Sequence, residues 1–77
     1  MTMNITCSNV TLLNKISLTS GRFFGLETSN EVINARLVNF GPSIITVEDR
    51  NTGRNRRFSK NQVKAVTFQG SRYTSAR

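Results

Sequence analysis

The stretch RNTGRNRRFSKNQVKAV, residues 50–66, carries six cations and no acid, yet it ends in apolar spacings typical of a domain core. Thr52-Gly53 is a turn signal, because glycine accepts backbone conformations that tight turns require. Phe58, Val63 and Val66 then supply apolar side chains that fit a buried surface. The stretch is therefore predicted to mount its cations on a fixed hairpin rather than on a disordered arm.

The chain from residue 22 onward consists of short extended runs separated by turn signals. Ser29-Asn30 is a candidate two-residue hairpin turn, and the Gly-Pro-Ser of residues 41–43 is the clearest break in the chain. Several of the runs are rich in β-branched side chains, which favour strands. Five strands are predicted, at residues 22–28, 31–39, 43–49, 55–59 and 62–69.

The N-terminal segment has a different pattern. Residues 8–16, SNVTLLNKI, place Val10 and Leu13 near one face at helical spacing, with Leu12 and Ile16 close by and Ser8 as a candidate N-cap. Because β-branched residues weaken a helix, a short helix and an irregular arm both remain open. In either form, residues 1–20 are expected to pack over one end of the β structure.

Five short strands in an open sheet would leave exposed edges, and a small closed barrel removes them. The predicted fold is thus all-β with a short N-terminal helix or arm: one domain, residues 1–77, with a barrel over residues 21–69. Residues 70–77, GSRYTSAR, are expected to form a flexible basic tail. The predicted core consists of Phe24, Leu26, Ile33, Leu37, Ile45, Val47, Phe58, Val63 and Val66.

FSKNQVKAV, residues 58–66, resembles the last segment of a Src-homology-3-like (SH3-like) barrel, in which one helical turn, here Lys60–Gln62, links the fourth strand to the fifth. GRFFGLETSNEVINARL and RNRRFSKNQVKAVTFQG, within residues 21–70, resemble small SH3-like barrel proteins encoded by bacteriophages. The chain is also similar in outline to bacterial WYL domains, although it lacks the Trp-Tyr-Leu tripeptide. The resemblance implies a small five-stranded SH3-like barrel and, for a phage protein, the cytoplasm of the host cell.

The charge is concentrated at one end of the chain. The formal net charge of +7 comes from 11 Lys and Arg against 4 Asp and Glu, and residues 50–77 hold no acid at all. Solubilising surfaces usually mix both signs, so this distribution predicts an anionic partner. The candidate nucleic-acid-binding residues are Arg50, Arg54, Arg56, Arg57, Lys60, Lys64, Arg36, Arg72 and Tyr73.

Strand alternation predicts where some of these side chains point. If Phe58 is buried, Arg57 points outward, and Arg56 lies at the rim or at a bulge. Aromatic side chains stack on bases in many single-strand binders, which makes Tyr73 and an outward Phe23 candidates. For Phe23 the alternative is packing beneath the N-terminal segment. The amides of Asn34 and Asn39 are candidates for contacts with base edges or ribose hydroxyls.

Several function classes are excluded by composition. Cys7 is the only cysteine and there is no histidine, so zinc spacing, an intrachain disulfide and the commonest general base are absent. No apolar run approaches the ~20 residues of a membrane span. Glu48-Asp49 is the only adjacent carboxylate pair, and strand neighbours point to opposite faces. We expect no enzyme activity, no metal, no cofactor and no membrane partner.

Three functions remain open. The first is binding of nucleic acid, DNA or RNA, through phosphate contacts with little sequence specificity. The second is a protein-interaction module, such as a phage factor that binds to an acidic surface of a host protein and inhibits that protein. It should add an apolar patch, for which Phe23, Phe40 and Ile44 are candidates, and should tolerate salt better. The third is a structural component in which a β edge pairs with another copy to form a homo-oligomer.

Overall fold

The computed structural model describes residues 3–76, which form one seven-stranded sheet and one short helix. The strands lie in the order β1-β7-β6-β2-β3-β4-β5 across the sheet. The predicted mostly-β fold is confirmed. In chain order the elements are β1 (Met3–Cys7), α1 (Asn9–Ser17), β2 (Phe23–Glu27), β3 (Val32–Phe40), β4 (Ile44–Asp49), β5 (Asn55–Ser59), a 3₁₀ turn (Lys60–Gln62), β6 (Ala65–Phe68) and β7 (Ser71–Ser75).

All five predicted strands are present, as β2 to β6. The single turn between β5 and β6 is also present, and a capping box fixes it. The Ser59 side chain accepts from the backbone N–H of Asn61, and the side chain of Gln62 accepts from the backbone N–H of Ser59. A β-bulge between Leu37 and Asn39 shifts the register of β3 against β4. This bulge brings Asn39 opposite Thr46.

The prediction of a closed five-stranded barrel is wrong. The sheet has seven strands, and β1 and β5 stand at its two ends instead of pairing with each other. β7 lacks the apolar alternation of the other strands, because Tyr73 is its only apolar residue. β1 does alternate, with Met3, Ile5 and Cys7 between Asn4 and Thr6, but its partner strand lies at the other end of the chain. Their ladder forms only between distant parts of the chain, as Met3–Cys7 runs parallel to Ser71–Ser75.

The C-terminal segment is therefore a strand and not a flexible tail over residues 71–75. β7 pairs with β6 on one side and with β1 on the other. Gln69 and Gly70, with φ angles of 52° and 80°, make the two-residue turn that reverses the chain after β6. Of the predicted tail, Arg77 lies outside the described residues, as do residues 1 and 2 of the predicted N-terminal segment.

The N-terminal segment adopts the helical alternative. The Ser8 side chain caps α1 by accepting from the backbone N–H of Thr11. Leu12 and Ile16 are fully buried, and the helix contacts β3, β6 and β7. Val10, which the helical spacing placed near the apolar face, is instead 68% exposed.

The core lies between α1 and one face of the sheet. Every residue of the predicted core is buried except Leu37, which is half-buried beside the bulge. The opposite face of the sheet, called here the outer face, carries the side chains that alternate with the core. Among these are Phe23, Glu27, Arg36, Glu48, Arg57 and Arg72.

Candidate nucleic-acid interface

The acidic side chains of the chain are all engaged by arginines. Each of the four carboxylates lies within ion-pair distance of an arginine, and three of the predicted binding residues supply these arginines. The pairs are Glu27 with Arg72, Glu31 and Asp49 with Arg56, and Glu48 with Arg36. Three of the eight predicted binding cations therefore contact acids of the protein itself.

Arg72 joins two strands that are not neighbours. Its Nε donates to Oε2 of Glu27 at 2.7 Å and its Nη2 donates to Oε1 at 2.8 Å, so the contact from β7 to β2 spans β6. The hydrogen bond from Arg72 lowers the pKa of Glu27 below its ordinary value of 4.5. A bidentate pair of this kind has a fixed geometry, so the Arg72 guanidinium is occupied by Glu27 and is not free to bind a phosphate.

Arg56 holds two acids at once. Its guanidinium donates to Glu31 at 2.8 and 2.6 Å, and it lies 3.5 Å from Oδ2 of Asp49, a carboxylate that is only 6% exposed. The hydrogen bond from Arg56 lowers the pKa of Glu31. Arg56 also lies 5.0 Å from the ring centroid of Phe58 on the same face of β5, and β5 pairs with β4 without a bulge at this residue.

Phe23 lies on the outer face, between two arginines rather than beneath the N-terminal segment. The guanidinium carbons of Arg36 and Arg50 lie 5.2 and 5.0 Å from the centroid of its ring. Arg36 is fixed further by its ion pair with Glu48 on β4. The ring that was a candidate for stacking on bases thus already contacts two cations of the protein.

The remaining cations of residues 50–64 have no such partners. Among the described residues, none of these remaining cations lies within ion-pair distance of a carboxylate. All four acidic side chains are paired with Arg36, Arg56 or Arg72. Lys60 lies over the ring of Phe40, 4.2 Å from its centroid, and the other four are exposed. We call this set the hairpin cations: Arg50, Arg54, Arg57, Lys60 and Lys64.

Three of the hairpin cations follow the free end of the sheet. Arg54, Arg57 and Lys60 recur every third residue along β5 and its flanks, which at ~3.3 Å per residue spaces their Cα atoms by roughly 10 Å. No described strand pairs with the outer edge of β5. Cations on an edge strand disfavour pairing with another β-strand and present positive charge to an anion.

A shallow pocket lies beside Arg57. It has a volume of about 240 Å³ and lies between the β3–β4 turn and β5. Asn39, Thr46 and Arg57 stand side by side in it, because Thr46 is the register partner of both Asn39 on β3 and Arg57 on β5. Pro42 and Ile44 add apolar surface. The pocket therefore offers an amide, a hydroxyl and an unpaired guanidinium to one ligand.

The sequence identified part of this pocket. Asn39 and Arg57 were predicted as candidate contacts, whereas Thr46 and the Pro42 turn were not. Their role depends on the bulge in β3, which no local pattern reveals. Asn34 is exposed opposite Gly25 on β2 and does not line the pocket. Tyr73 is half-buried against the core with Lys15 4.9 Å from its ring centroid, and it lines a different pocket.

Within residues 3–76, no group of histidine, cysteine and acidic side chains has the arrangement of a metal site. In the same part of the chain, no helix has the length and apolar character needed to cross a bilayer. Comparison of the chain with protein families, with curated proteins and with solved structures gives no match.

Proposed function

We propose that this protein binds nucleic acid through the hairpin cations, by phosphate contacts with little sequence specificity. The observation that carries the proposal is the partition of charge: four acids are paired with three arginines, while five cations of residues 50–64 are not paired with any described carboxylate. When unpaired arginines and lysines neutralise phosphates, the nucleic acid releases its bound counterions. This release supplies most of the affinity of non-specific binding.

The pocket beside Arg57 supports single-stranded nucleic acid as the preferred form. A base that is unstacked from its neighbours can enter such a pocket, whereas a base inside a duplex cannot. The amide of Asn39 can meet a base edge, the hydroxyl of Thr46 can donate or accept, and Arg57 can hold the adjoining phosphate. Pro42 and Ile44 provide the apolar contact beneath the base.

An acidic surface of a host protein is the second candidate partner. Such an interface would need an exposed apolar centre. Of the three apolar residues predicted for it, Phe23 and Phe40 are covered by cations. Arg36 and Arg50 cover the ring of Phe23, and Lys60 lies over the ring of Phe40. Only Ile44, which is 38% exposed, remains open. Cations thus cover two of the three apolar residues that were predicted for a protein interface.

The proposal includes an SH3-like arrangement of β2 to β6, which the 3₁₀ turn between β5 and β6 supports. In this arrangement β7 and β1 are additions along the edge of β6. A bacteriophage origin and action in the host cytoplasm follow from the resemblance alone. The proposed role requires no catalysis and no cofactor.

A titration over a salt series tests the proposal. Fluorescent single-stranded and double-stranded oligonucleotides are added to the protein at several salt concentrations. We expect the single strand to bind more tightly, with affinity falling steeply as salt rises. Arg57→Ala should weaken binding to every sequence and lower the salt slope by about one.

With oligonucleotides that carry no 5′-phosphate, Arg22→Ala is the matched control, because Arg22 is exposed, is not ion-paired with a described carboxylate and lies outside the hairpin. It should leave the affinity and the slope close to those of the unmodified protein. Absence of binding at low salt would refute the proposal. Equal effects of Arg22→Ala and Arg57→Ala would refute the assignment to the hairpin and leave only a general effect of net charge.

A further inference from the structure

A second pocket lies near the end of α1, away from the hairpin cations. It has a volume of about 290 Å³ and lies between the segment that joins α1 to β2 and the β6–β7 turn. Its lining includes the cations Lys15 and Arg22, the aromatic rings of Phe68 and Tyr73, and the polar side chains of Thr19 and Gln69. None of the hairpin cations contributes to it.

The pocket has an uncompensated positive charge. Within residues 3–76, no carboxylate lines the pocket and none lies within ion-pair distance of Lys15 or Arg22. The ring of Tyr73 holds the Lys15 ammonium at 4.9 Å from its centroid, which positions the cation without neutralising it. Lys15 is also favoured by the carbonyl end of α1, but this explanation does not extend to Arg22.

The walls of this pocket are fixed by two tight turns. Among the described residues, Ser20 and Gln69 are the only non-glycine residues with positive φ, both at 52°, and both line the pocket. Buried Thr19 donates its hydroxyl to the carbonyl of Ile16 at 2.7 Å, so its oxygen remains able only to accept. Two tight turns therefore shape the backbone around the pocket and the Tyr73 ring positions Lys15, whereas the Arg22 side chain is exposed.

We propose that this pocket binds a nucleoside monophosphate, with the phosphate between Lys15 and Arg22 and the base against Phe68. Two cations without acids select a small dianion, and the apolar surface of Phe68 and Leu18 selects a ligand with an apolar or aromatic part. The volume is at the lower end of the ~300–1,000 Å³ typical of small-molecule sites, which limits the ligand to about one nucleotide.

The ligand can come from two sources with the same chemistry: a free nucleotide, or the 5′-phosphorylated end of a nucleic-acid strand. The inference does not rest on the proposed function, because the two sites share no residue. The test uses the full chain and calorimetric titration with AMP, UMP, adenosine and inorganic phosphate. We expect at least one nucleotide to bind, and adenosine and phosphate to bind at least about tenfold more weakly.

Arg22→Gln should weaken nucleotide binding about tenfold, since it removes one of two phosphate contacts. Its melting temperature should not change, because Arg22 is exposed and unpaired with any described carboxylate. Arg54→Gln is the matched control, because Arg54 lines neither pocket, and it should leave nucleotide affinity unchanged while it weakens oligonucleotide binding. No binding of AMP or UMP at millimolar concentration, or equal affinity for them in Arg22→Gln, would overturn the inference.

Oligonucleotides with and without a 5′-phosphate distinguish the two sources. A preference for the phosphorylated strand that Arg22→Gln abolishes assigns the pocket to a strand end. Nucleotide binding without that preference assigns it to the free nucleotide. If oligonucleotides fail to bind while AMP or UMP binds, the proposed function of the hairpin is lost and this inference stands.

Discussion

β7 and the basic stretch of residues 50–64 are both free of acids in sequence, but their cations differ in what they contact. Arg72 of β7 is held by Glu27, which is 45 positions away in the chain. In the hairpin, only Arg56 is held in this way, and the hairpin cations around it have no described carboxylate partner. The local charge of a segment therefore does not tell whether that charge is available to a ligand.

The largest effect should come from removing β7. Deletion of residues 71–77 leaves β1 without its partner, exposes the edge of β6 and breaks the Arg72–Glu27 pair. The stability of a chain of this size is only ~4–12 kcal/mol, at roughly 0.05–0.15 kcal/mol per residue. We expect the deletion to abolish cooperative thermal unfolding, monitored by circular dichroism.

The control for this deletion is Arg72→Ala in the intact chain. It removes the ion pair but leaves both backbone ladders of β7, so the cooperative transition should persist at a lower temperature. A deleted chain that still unfolds cooperatively would contradict the structural role of β7. It would restore the expectation of a dispensable tail.

The next largest effect should be a loss of Tm in Arg56→Glu that Arg57→Glu does not show. Arg56→Glu places a third carboxylate beside Glu31 and Asp49, and leaves Asp49 buried without a cation. The loss of that partner alone should cost roughly 1–3 kcal/mol, which lowers the Tm of a small domain by about 4–8 °C per kcal/mol. Thermal unfolding of both single variants measures this difference.

Arg57→Glu should leave the Tm nearly unchanged, because Arg57 is exposed and has no carboxylate partner among the described residues. Its effect should appear instead in the oligonucleotide titration. Equal losses of Tm in the two variants would show that the ion pairs of Arg56 contribute little to stability. The comparison between paired and unpaired arginines would then fail.

The pH dependence of the unfolding free energy measures how much the ion pairs of Arg72 and Arg56 stabilise the protein. The pKa values of Glu27 and Glu31 are lowered in the folded state by their hydrogen bonds to Arg72 and Arg56. These carboxylates contribute stability above their ordinary pKa of 4.5, and the contribution is lost as the pH falls below that value toward the folded pKa. The free energy of urea unfolding should therefore decrease below about pH 4.5.

Arg72→Ala should be less stable than the unmodified protein at pH 7, and the difference should shrink as the pH falls through this range. Both chains then carry a protonated Glu27, for which the arginine no longer makes a difference. Arg22→Ala provides the control, with a curve parallel to that of the unmodified protein. A difference between Arg72→Ala and the unmodified protein that stays constant with pH would mean that Arg72 acts by packing alone.

The sequence predicted those parts of the fold that local patterns encode. The strands β2 to β6 follow from spacing and turn chemistry within a few residues, as does the helical alternative for the segment that Ser8 caps. The turn at Lys60–Gln62 was implied by the resemblance to SH3-like barrels. The strands β1 and β7 could not be predicted in this way, because their stability comes from pairing between the two ends of the chain.

In the candidate site, too, local patterns predicted some positions, and contacts between distant parts of the chain determined the rest. Arg57 could be placed on the outer face from its alternation with Phe58, and Arg56 on the same face as Phe58. The ion pairs of Arg36 and Arg72 depend on the register of strands that are distant in sequence, so the charge pattern overstated the number of available cations. Thr46 entered the pocket through the bulge in β3.

The smallest expected effect concerns the chemistry of one unpaired cation. Arg57→Lys keeps the charge but loses the planar guanidinium that grips a phosphate with two hydrogen bonds. Counterion release depends on charge, so the salt slope should be unchanged, while the affinity should fall by only about threefold. Lys60→Arg is the reciprocal control and should leave the slope unchanged as well. A slope that falls by about one in Arg57→Lys would mean that the lysine no longer reaches the phosphate, and that position 57 contributes through geometry rather than through charge.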